Sequence, residues 1–350
     1  MKKVKIYGAG SIGNHLAQAA RRMGWGVDMV DPDQSALDRM RGSLYPERYG
    51  AWDETIGLFT LGQEPKKGYD LIFLGTPPDV RMGLAREALK ESPEILLLEK
   101  PLCGPWDTNL NGFIDEYTKQ SGTIAVMGYD HAVSASADKM CMILETGAIG
   151  KILALDVQFR SHWKGIFKAH PWLKGPEDTY LGYWKRGGGA SGEHSHALHL
   201  WLTFAKAAKF GRPTAGSCFM DMREENGAQY DALSAFTLQT DTGKVGRVVQ
   251  DVLSLPQKKW ALAQGEFGSA EWLCEKSYDL VRVTHDGQPP QEYRFDKTRP
   301  DDFFLEMQHL DALMRGEVKP AESPISMDSG LQVMKLLELA HKNRNSSFTL

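Results

Sequence analysis

The sequence predicts an α/β chain of two domains, the first on a parallel sheet covered by helices, the second on a large, mostly antiparallel open sheet. Three observations point there. Over the first third, short apolar runs alternate with stretches of helical spacing, the pattern of βαβ units. The runs LIFL (71–74) and ILLL (95–98) lack polar alternation, as strands covered on both faces do. Beyond residue 130, strand-like segments crowd together, joined by the hairpin-like DTGK (241–244) and HDGQ (285–288).

In chain order, residues 4–7 read as a strand, 12–23 as a helix and 27–31 as a second strand. Strands follow at 71–74, 95–98 and 124–127, with helices over 80–90 and 108–120 between them. The second half opens with a helix over 132–147 and a long alternating strand over 152–161. Residues 162–189 are irregular and rich in Trp, Tyr, Gly and Lys. A helix is expected over 191–206, then strands near 214–222, 232–240, 246–254, 259–266, 270–275, 279–284 and 290–295, and closing helices near 303–315 and 327–342. The texture changes at Tyr129, which puts the domains at 1–128 and 129–350, with the last helices expected to pack back on the first. The length agrees, since 350 residues at about 150 per domain make two.

Composition narrows the function. With 42% hydrophobic and 25% charged residues, the chain has the make-up of a soluble globular protein. A formal net charge of −4 argues against nucleic-acid binding, which needs a basic face to displace counterions. No apolar run approaches the roughly 18 residues of a membrane span, and MKKVKIYGAGSIG carries no apolar stretch with a cleavage site. A cytoplasmic protein with no membrane contact is expected. Cys103, Cys141, Cys218 and Cys274 are scattered, with no CxxC, and read as buried thiols of a reducing compartment.

The chemistry begins at Gly8-Ala9-Gly10-Ser11-Ile12-Gly13, a GxGxxG run that follows a strand and opens a helix. The first glycine allows the tight turn, the second lets the backbone approach a pyrophosphate, and the third lets helix and sheet pack closely. The helix N-terminus then offers N–H groups and a positive dipole end to the phosphates. This is the signature of a Rossmann domain, with Gly8, Gly10, Ser11, Ile12 and Gly13 as cofactor contacts. Asp31 ends the second strand, where a carboxylate accepts from the adenosine ribose hydroxyls and repels a 2′-phosphate, so NAD is expected over NADP. The competing reading of Asp31-Pro32-Asp33 is a simple turn. Gly75-Thr76-Pro77-Pro78 and Glu99-Lys100-Pro101 follow strands at their carboxyl ends, the rim where such sheets bind ligands. Thr76, Pro77, Glu99 and Lys100 are therefore placed at the cofactor. Pro101 favours an extended Lys100, whose amine could exchange a proton with a substrate hydroxyl. The alternative for Lys100 is a solvated surface lysine.

GxGxxG, Asp31, GTPP and EKP, in that order and spacing, resemble the glucose–fructose oxidoreductase/inositol dehydrogenase/MocA family over about the first 130 residues. The second half is similar more loosely. Gly128-Tyr129-Asp130-His131 sits where the family has a glycine, an aromatic and usually Asn at the domain crossover, and the glycines before Ala190 match its glycine run. The resemblance implies a Rossmann domain plus an α/β domain whose open sheet often mediates oligomers, so a homo-oligomer, dimer or tetramer, is expected. It also implies NAD(P)-dependent oxidation or reduction of a secondary alcohol on a sugar or cyclitol, with Lys100 binding substrate and moving the proton. Glu193 falls where the family usually has Asp, and His196 falls near its histidine, which implies substrate contacts and an acid/base partner. The chain departs from the pattern in three places. Glu193-x-x-His196 is one residue shorter, with Ala197 at the strict position; His199 replaces an Asp; and Asp130 replaces the crossover Asn.

Glu193, His196 and His199 are spaced i, i+3, i+6, so one continuous helix would line them on one face, with His194 pointing off it as a structural residue. Three readings compete for the face. His196 relays a proton with Lys100, oriented by Glu193; or a carboxylate and two imidazoles hold zinc; or the histidines pack beside Trp201. The catalytic reading is favoured, with no metal expected. In the irregular stretch, Trp163 and its aromatic neighbours suit sugar faces, and the interleaved cations, Lys185 and Arg186 among them, suit a carboxylate or phosphate. Substrate contacts are thus expected from Lys100, Asp130, Trp163, Lys185, Arg186, Glu193, His196 and His199. The whole reads as an NAD-dependent dehydrogenase moving a hydride between nicotinamide and a secondary alcohol or ketone of a sugar or sugar-derived small molecule, with an anionic sugar derivative expected from the interleaved cations. Its rivals are an NAD-dependent glycosidase working by transient oxidation and a non-catalytic NAD-binding sensor or scaffold.

Overall fold

The computed structural model describes residues 1–168, 170 and 172–350; Ala169 and Pro171, inside the stretch expected to be irregular, lie outside the described residues. The chain forms two compact units. The first comprises Met1–Cys103, Asp107–Asp130 and Pro300–Asp328, the second Gly104–Trp106, His131–Arg299 and Ser329–Leu350.

The first unit runs β1 (Lys3–Tyr7), α1 (Ser11–Arg22), β2 (Gly26–Asp31), α2 (Gln34–Arg39), α3 (Tyr45–Tyr49), β3 (Gly57–Thr60), β4 (Leu71–Leu74), α4 (Pro78–Leu89), β5 (Ile95–Glu99), α5 (Asn109–Lys119) and β6 (Ile124–Gly128). Its six strands lie in the order β3-β2-β1-β4-β5-β6, and every neighbouring pair is parallel. This is the Rossmann sheet that the strand–helix alternation predicts. Every residue of β4 and β5 is buried, which is why LIFL and ILLL show no polar alternation. The chain steps from one half of the sheet to the other between β1 and β4, so the crevice lies at the carboxyl ends of these strands. No expectation covered α2, α3 or β3. Both helices are shorter than two turns, and β3 is a half-buried edge strand, so none of them carries a readable period.

The second unit holds α6 (Ala135–Glu145), β7 (Ile152–His162), α7 (Trp163–Lys168), α8 (Gly189–Glu193), α9 (His196–Ala207), β8 (Pro213–Glu225), β9 (Ala228–Thr240), β10 (Val245–Asp251), β11 (Leu253–Gly265), β12 (Gly268–Cys274), β13 (Tyr278–His285) and β14 (Gln291–Asp296). Then come α10 (Arg299–Met314), which the first unit takes from Pro300 on, α11 (Met327–Lys342) and the last strand β15 (Ser346–Thr349). The nine strands are ordered β14-β13-β12-β11-β7-β10-β9-β8-β15, all neighbours antiparallel except β7 and β10. The mostly antiparallel open sheet is as expected, with β15 as an addition. The helix expected over 132–147 starts at Ala135, because the Ser134 hydroxyl caps it by accepting the Ala137 N–H (3.1 Å).

The helix face of this sheet carries the core. Leu155, Val157, Phe159, Ala261, Ala263, Ala270 and Trp272 are buried there with Trp201 and Phe204 of α9. Trp201 Nε1 donates to the Leu155 carbonyl (3.1 Å), and Trp272 Nε1 to Ser136 Oγ (2.9 Å), so both indoles are satisfied while buried. On the other face Phe219 and Val245 are exposed. Cys103, Cys218 and Cys274 are buried, Cys141 is half-buried, and all four are free thiols. Among the described residues, no helix is long and apolar enough to cross a membrane.

Candidate active site

In the first unit the three glycines of GxGxxG have different reasons to be there. Gly8 has φ +100°, and a Cβ on it would lie 2.9 Å from the Gly75 carbonyl oxygen. A Cβ on Gly13 would strike the Gly8 oxygen at 1.8 Å. Both are demanded by the protein's own packing. Gly10 is not: its backbone is extended (φ −82°, ψ −163°), and a Cβ there would meet nothing within 4 Å. The missing side chain keeps a space open beside the start of α1. That helix has no side-chain cap and no acidic residue in its first turn, so its N-terminal field is not offset from within.

Asp31 closes the loop from the other side. Its Oδ2 accepts the Ala9 N–H (2.7 Å), and its Oδ1 accepts the Asp33 N–H (2.9 Å). A carboxylate offers about four acceptor positions, so it can tether the loop and still receive hydroxyls. Arg48, which sequence reasoning missed, donates to both the carbonyl (3.3 Å) and the hydroxyl (3.0 Å) of Ser11. Its neighbour His15 stacks on Phe303 (4.6 Å). No motif announces Arg48; only the fold of residues 34–60 brings a cation to the first turn of α1.

At the β4 and β5 ends, Arg81 is fully buried and donates to the carbonyls of Thr76, Glu99, Pro101 and Leu102. One guanidinium thus ties GTPP to EKP. Pro77 precedes the first turn of α4. Lys100 is half-buried, in a cis peptide bond to Pro101, and its N–H reaches Glu99 Oε2 (3.2 Å). The Glu99 carboxyl lies against Gly128, where a Cβ would come within 2.7 Å of it. Burial pushes Glu99 up to about 7; Arg81 opposes this, Asp130 adds to it, and Lys100 opposes it.

This has a consequence for stability. The folded chain keeps a proton on Glu99 that the unfolded chain releases near the ordinary 4.5. The Glu99 contribution to stability therefore falls as pH rises from about 4.5 to about 7, and is level above that. Glu99→Gln cannot ionise. The thermal midpoint of the unmutated chain, minus that of Glu99→Gln, is expected to drop by several degrees between pH 5 and pH 8. A difference that stays constant with pH would show that Glu99 ionises normally.

In the second unit the structure corrects the continuous helix expected over 191–206. α8 ends at Glu193, His194 leaves helical geometry (φ −102°, ψ 23°), and α9 begins at His196. Long-range polar contacts make the break. The His194 carbonyl accepts from Gln250 Nε2, and its Nε2 meets Ser161 Oγ (2.8 Å); Ser234 Oγ donates to Gln250 Oε1 (3.1 Å). Glu193, His196 and His199 therefore do not share one helical face. His199 pairs with Ser329 Oγ (3.1 Å).

His196 is buried at the first turn of α9. Its ring stands 4.9 Å from that of His131 and 6.2 Å from that of Phe159. The Lys259 ammonium donates to His131 Nε2 (3.2 Å). Sequence reasoning missed Ser161, Ser234, Gln250, Lys259 and His131. The signal was present in the strand alternation, which turns polar at inward positions at this end of β7, β9, β10 and β11. Of the aromatic stretch, Trp163 is buried in a cluster with Leu181, Tyr230 and Val252, stacked on Phe167 (5.4 Å). Lys185 and Arg186 are exposed, next to Trp184 and Tyr183. Asp130 is buried in the short turn after β6.

The fold, a Rossmann unit and a second unit on a large open sheet, is similar to that of solved oxidoreductases. Three solved structures show the likeness. An aldose-aldose oxidoreductase from Caulobacter crescentus, complexed with glycerol, has a TM-score of 0.77 and 16% identity, over 100% of this chain and 99% of that one. An inositol dehydrogenase homologue from Azotobacter vinelandii, complexed with NAD+, has a TM-score of 0.75 and 14% identity, over 100% and 97%. The WlbA dehydrogenase from Bordetella pertussis, in complex with NADH and UDP-GlcNAcA, has a TM-score of 0.72 and 18% identity, over 100% and 99%. At these identities the likeness establishes the fold. No family model matches the sequence, and no curated protein matches it.

Proposed function

We propose that this chain is an NAD-dependent oxidoreductase acting on a secondary alcohol, or its ketone, of a sugar-derived substrate. The observation that carries the proposal is the open space at Gly10, beside the uncapped start of α1 and the Asp31 carboxylate. Neither steric demand nor backbone conformation explains that glycine, whereas a pyrophosphate approaching the main chain does. Solved structures of this fold hold NAD+ or NADH, which supports the same reading. When bound, NAD supplies the hydride acceptor or donor.

The chain's own residues then have these tasks. Gly8, Gly10, Ser11, Ile12 and Gly13 present the backbone to the phosphates, and Asp31 takes the ribose hydroxyls. Thr76, Pro77 and Glu99 border the cofactor at the strand ends. Lys100 hydrogen-bonds the reacting oxygen and moves its proton. His196 assists as acid or base, and Glu193, Asp130 and His199 serve as substrate contacts. The exposed Phe219 and Val245 on the open sheet support assembly into a homo-oligomer.

The direct test is calorimetry with NAD and NADP, followed by a panel of sugars, sugar acids and cyclitols read by NADH absorbance. Binding of neither nucleotide would end the proposal. Asp31 sets the cofactor preference. Asp31→Ala is expected to narrow the NAD-over-NADP affinity ratio at least tenfold, because a carboxylate that accepts hydroxyls and repels phosphate is lost. An unchanged ratio would take that role from Asp31.

A further inference from the structure

We propose that Arg81 is a positioning residue: its guanidinium aims Lys100 for proton transfer and fixes Thr76 at the cofactor border as part of the same rigid piece. The inference deepens the function proposed above and rests on Lys100 as the residue that moves the proton.

The argument starts from what the strand ends leave open. β4 stops at Leu74 and β5 at Glu99, so Thr76 and the Lys100–Leu102 turn lie outside the parallel ladder. Arg81, the fourth residue of α4, takes over the task of the ladder from inside, with 1% of its surface exposed. Its Nη1 donates to the carbonyls of Glu99, Pro101 and Leu102 (3.3 Å to the last), and its Nη2 donates to the carbonyl of Thr76. A planar fork holds two loops at a fixed distance and angle, whereas a lysine ammonium is one point on a flexible stem.

These bonds set the direction of Lys100. The peptide that leads into it is held at both ends, its oxygen by Arg81 and its N–H by Glu99 Oε2 (3.2 Å). On the far side Arg81 holds the Pro101 carbonyl. With the backbone fixed before and after it, the Lys100 Cα–Cβ bond has one heading, and the amine starts from one place.

Two features of the joined loops cost stability. A guanidinium gives up its hydration here, although Met82, Ala85, Ala88 and Leu89, the other inward residues of α4 that follow it, are apolar. The Thr76 hydroxyl is buried and, among the described residues, without a hydrogen-bond partner. Arg81 takes the Thr76 carbonyl and leaves the hydroxyl over. Such costs are kept where a ligand completes the group, and here that ligand is the one the strand ends face.

The test needs no substrate. Trace acetylation with acetic anhydride, read by mass spectrometry on the full chain, compares Lys100 with the exposed Lys258, with and without NAD. In the unmutated chain NAD is expected to slow the labelling of Lys100. In Arg81→Met the relative rate at Lys100 should rise at least about threefold and NAD should protect it less, because the turn opens locally. Arg81→Lys should regain part of the melting temperature and little of the labelling pattern, since charge alone does not rebuild the fork. In Arg81→Ala, millimolar guanidinium chloride should restore the pattern and an equal concentration of sodium chloride should not. Calorimetry adds a second readout. Thr76→Val should hold or raise the melting temperature and weaken NAD roughly tenfold, as one hydrogen bond to the ligand is lost. In the Arg81→Met background the same change should weaken NAD less than about twofold. Where the methionine form does not melt cooperatively, Arg81→Lys takes its place. A folded Arg81 variant that labels at Lys100 as the unmutated chain does, or a Thr76→Val effect undiminished beside it, would overturn the proposal. Failure to bind NAD removes the oxidoreductase reading, while labelling without nucleotide and its response to guanidinium still judge Arg81.

Discussion

Replacing Lys100 with alanine is expected to lower turnover at least a hundredfold while leaving NAD affinity within about twofold. General acid–base help is worth about 10²–10⁴ in rate, and Lys100 is the residue given that task. Its setting separates chemistry from binding. The strand tip is held by Arg81, which grips the carbonyls on both sides of Lys100, and by the Glu99 carboxyl below it. Truncating the lysine side chain leaves those bonds in place, so the cofactor cradle keeps its shape. Lys100→Arg sharpens the test, since it keeps a positive charge but replaces the amine with a guanidinium that does not hand over a proton. Both variants should lose kcat, and the arginine form should retain more of the substrate affinity. Turnover of the alanine form equal to that of the unmutated chain would remove Lys100 from the chemistry. If NAD binding persisted while no substrate was ever turned over by the unmutated chain, the sensor or scaffold alternative would gain.

The first sheet was legible because its physics is local. Strands buried on both faces must be apolar throughout, and a strand–glycine–helix junction has few sequence solutions; LIFL, ILLL and GAGSIG carry this openly. The second unit was legible only in outline. The break at His194 is written in no local preference, because Glu193, His194 and Ser195 all tolerate a helix. It is made by Gln250 and Ser161, which arrive from strands distant in the chain and capture the His194 backbone and ring, with Ser234 holding Gln250. A helical wheel drawn through Glu193, His196 and His199 therefore joined residues that the tertiary structure separates. Lys259 shows the reverse case. Its position was readable, because a lysine in register with the inward Ala261 and Ala263 that follow it breaks the strand pattern. Arg48 was readable by neither route, since short helices without a period bring it to Ser11.

Gly10→Val is expected to fold as well as the unmutated chain and to bind NAD at least a hundredfold more weakly. The three glycines of one motif should fail by different mechanisms. A Cβ at Gly13 overlaps the Gly8 oxygen, and one at Gly8 meets the Gly75 carbonyl from a left-handed backbone, so Gly13→Ala and Gly8→Ala should lose stability, by about 1–3 kcal/mol or more. At Gly10 the backbone is one that any residue adopts, and the added carbons enter empty space. Losing glycine at such a position reduces the freedom of the unfolded chain, worth about 0.4–1 kcal/mol in favour of the folded state for alanine. The thermal midpoint should therefore hold or rise. Affinity should fall because the valine methyls stand where main-chain N–H groups at the α1 terminus would meet phosphate, and hydrogen bonds to a charged group are worth about 1.5–3 kcal/mol each. Melting and calorimetry on Gly10→Val and Gly13→Ala together separate the two effects. Stability lost at Gly10, or NAD bound by Gly10→Val as by the unmutated chain, would mean that the open space does not belong to a pyrophosphate.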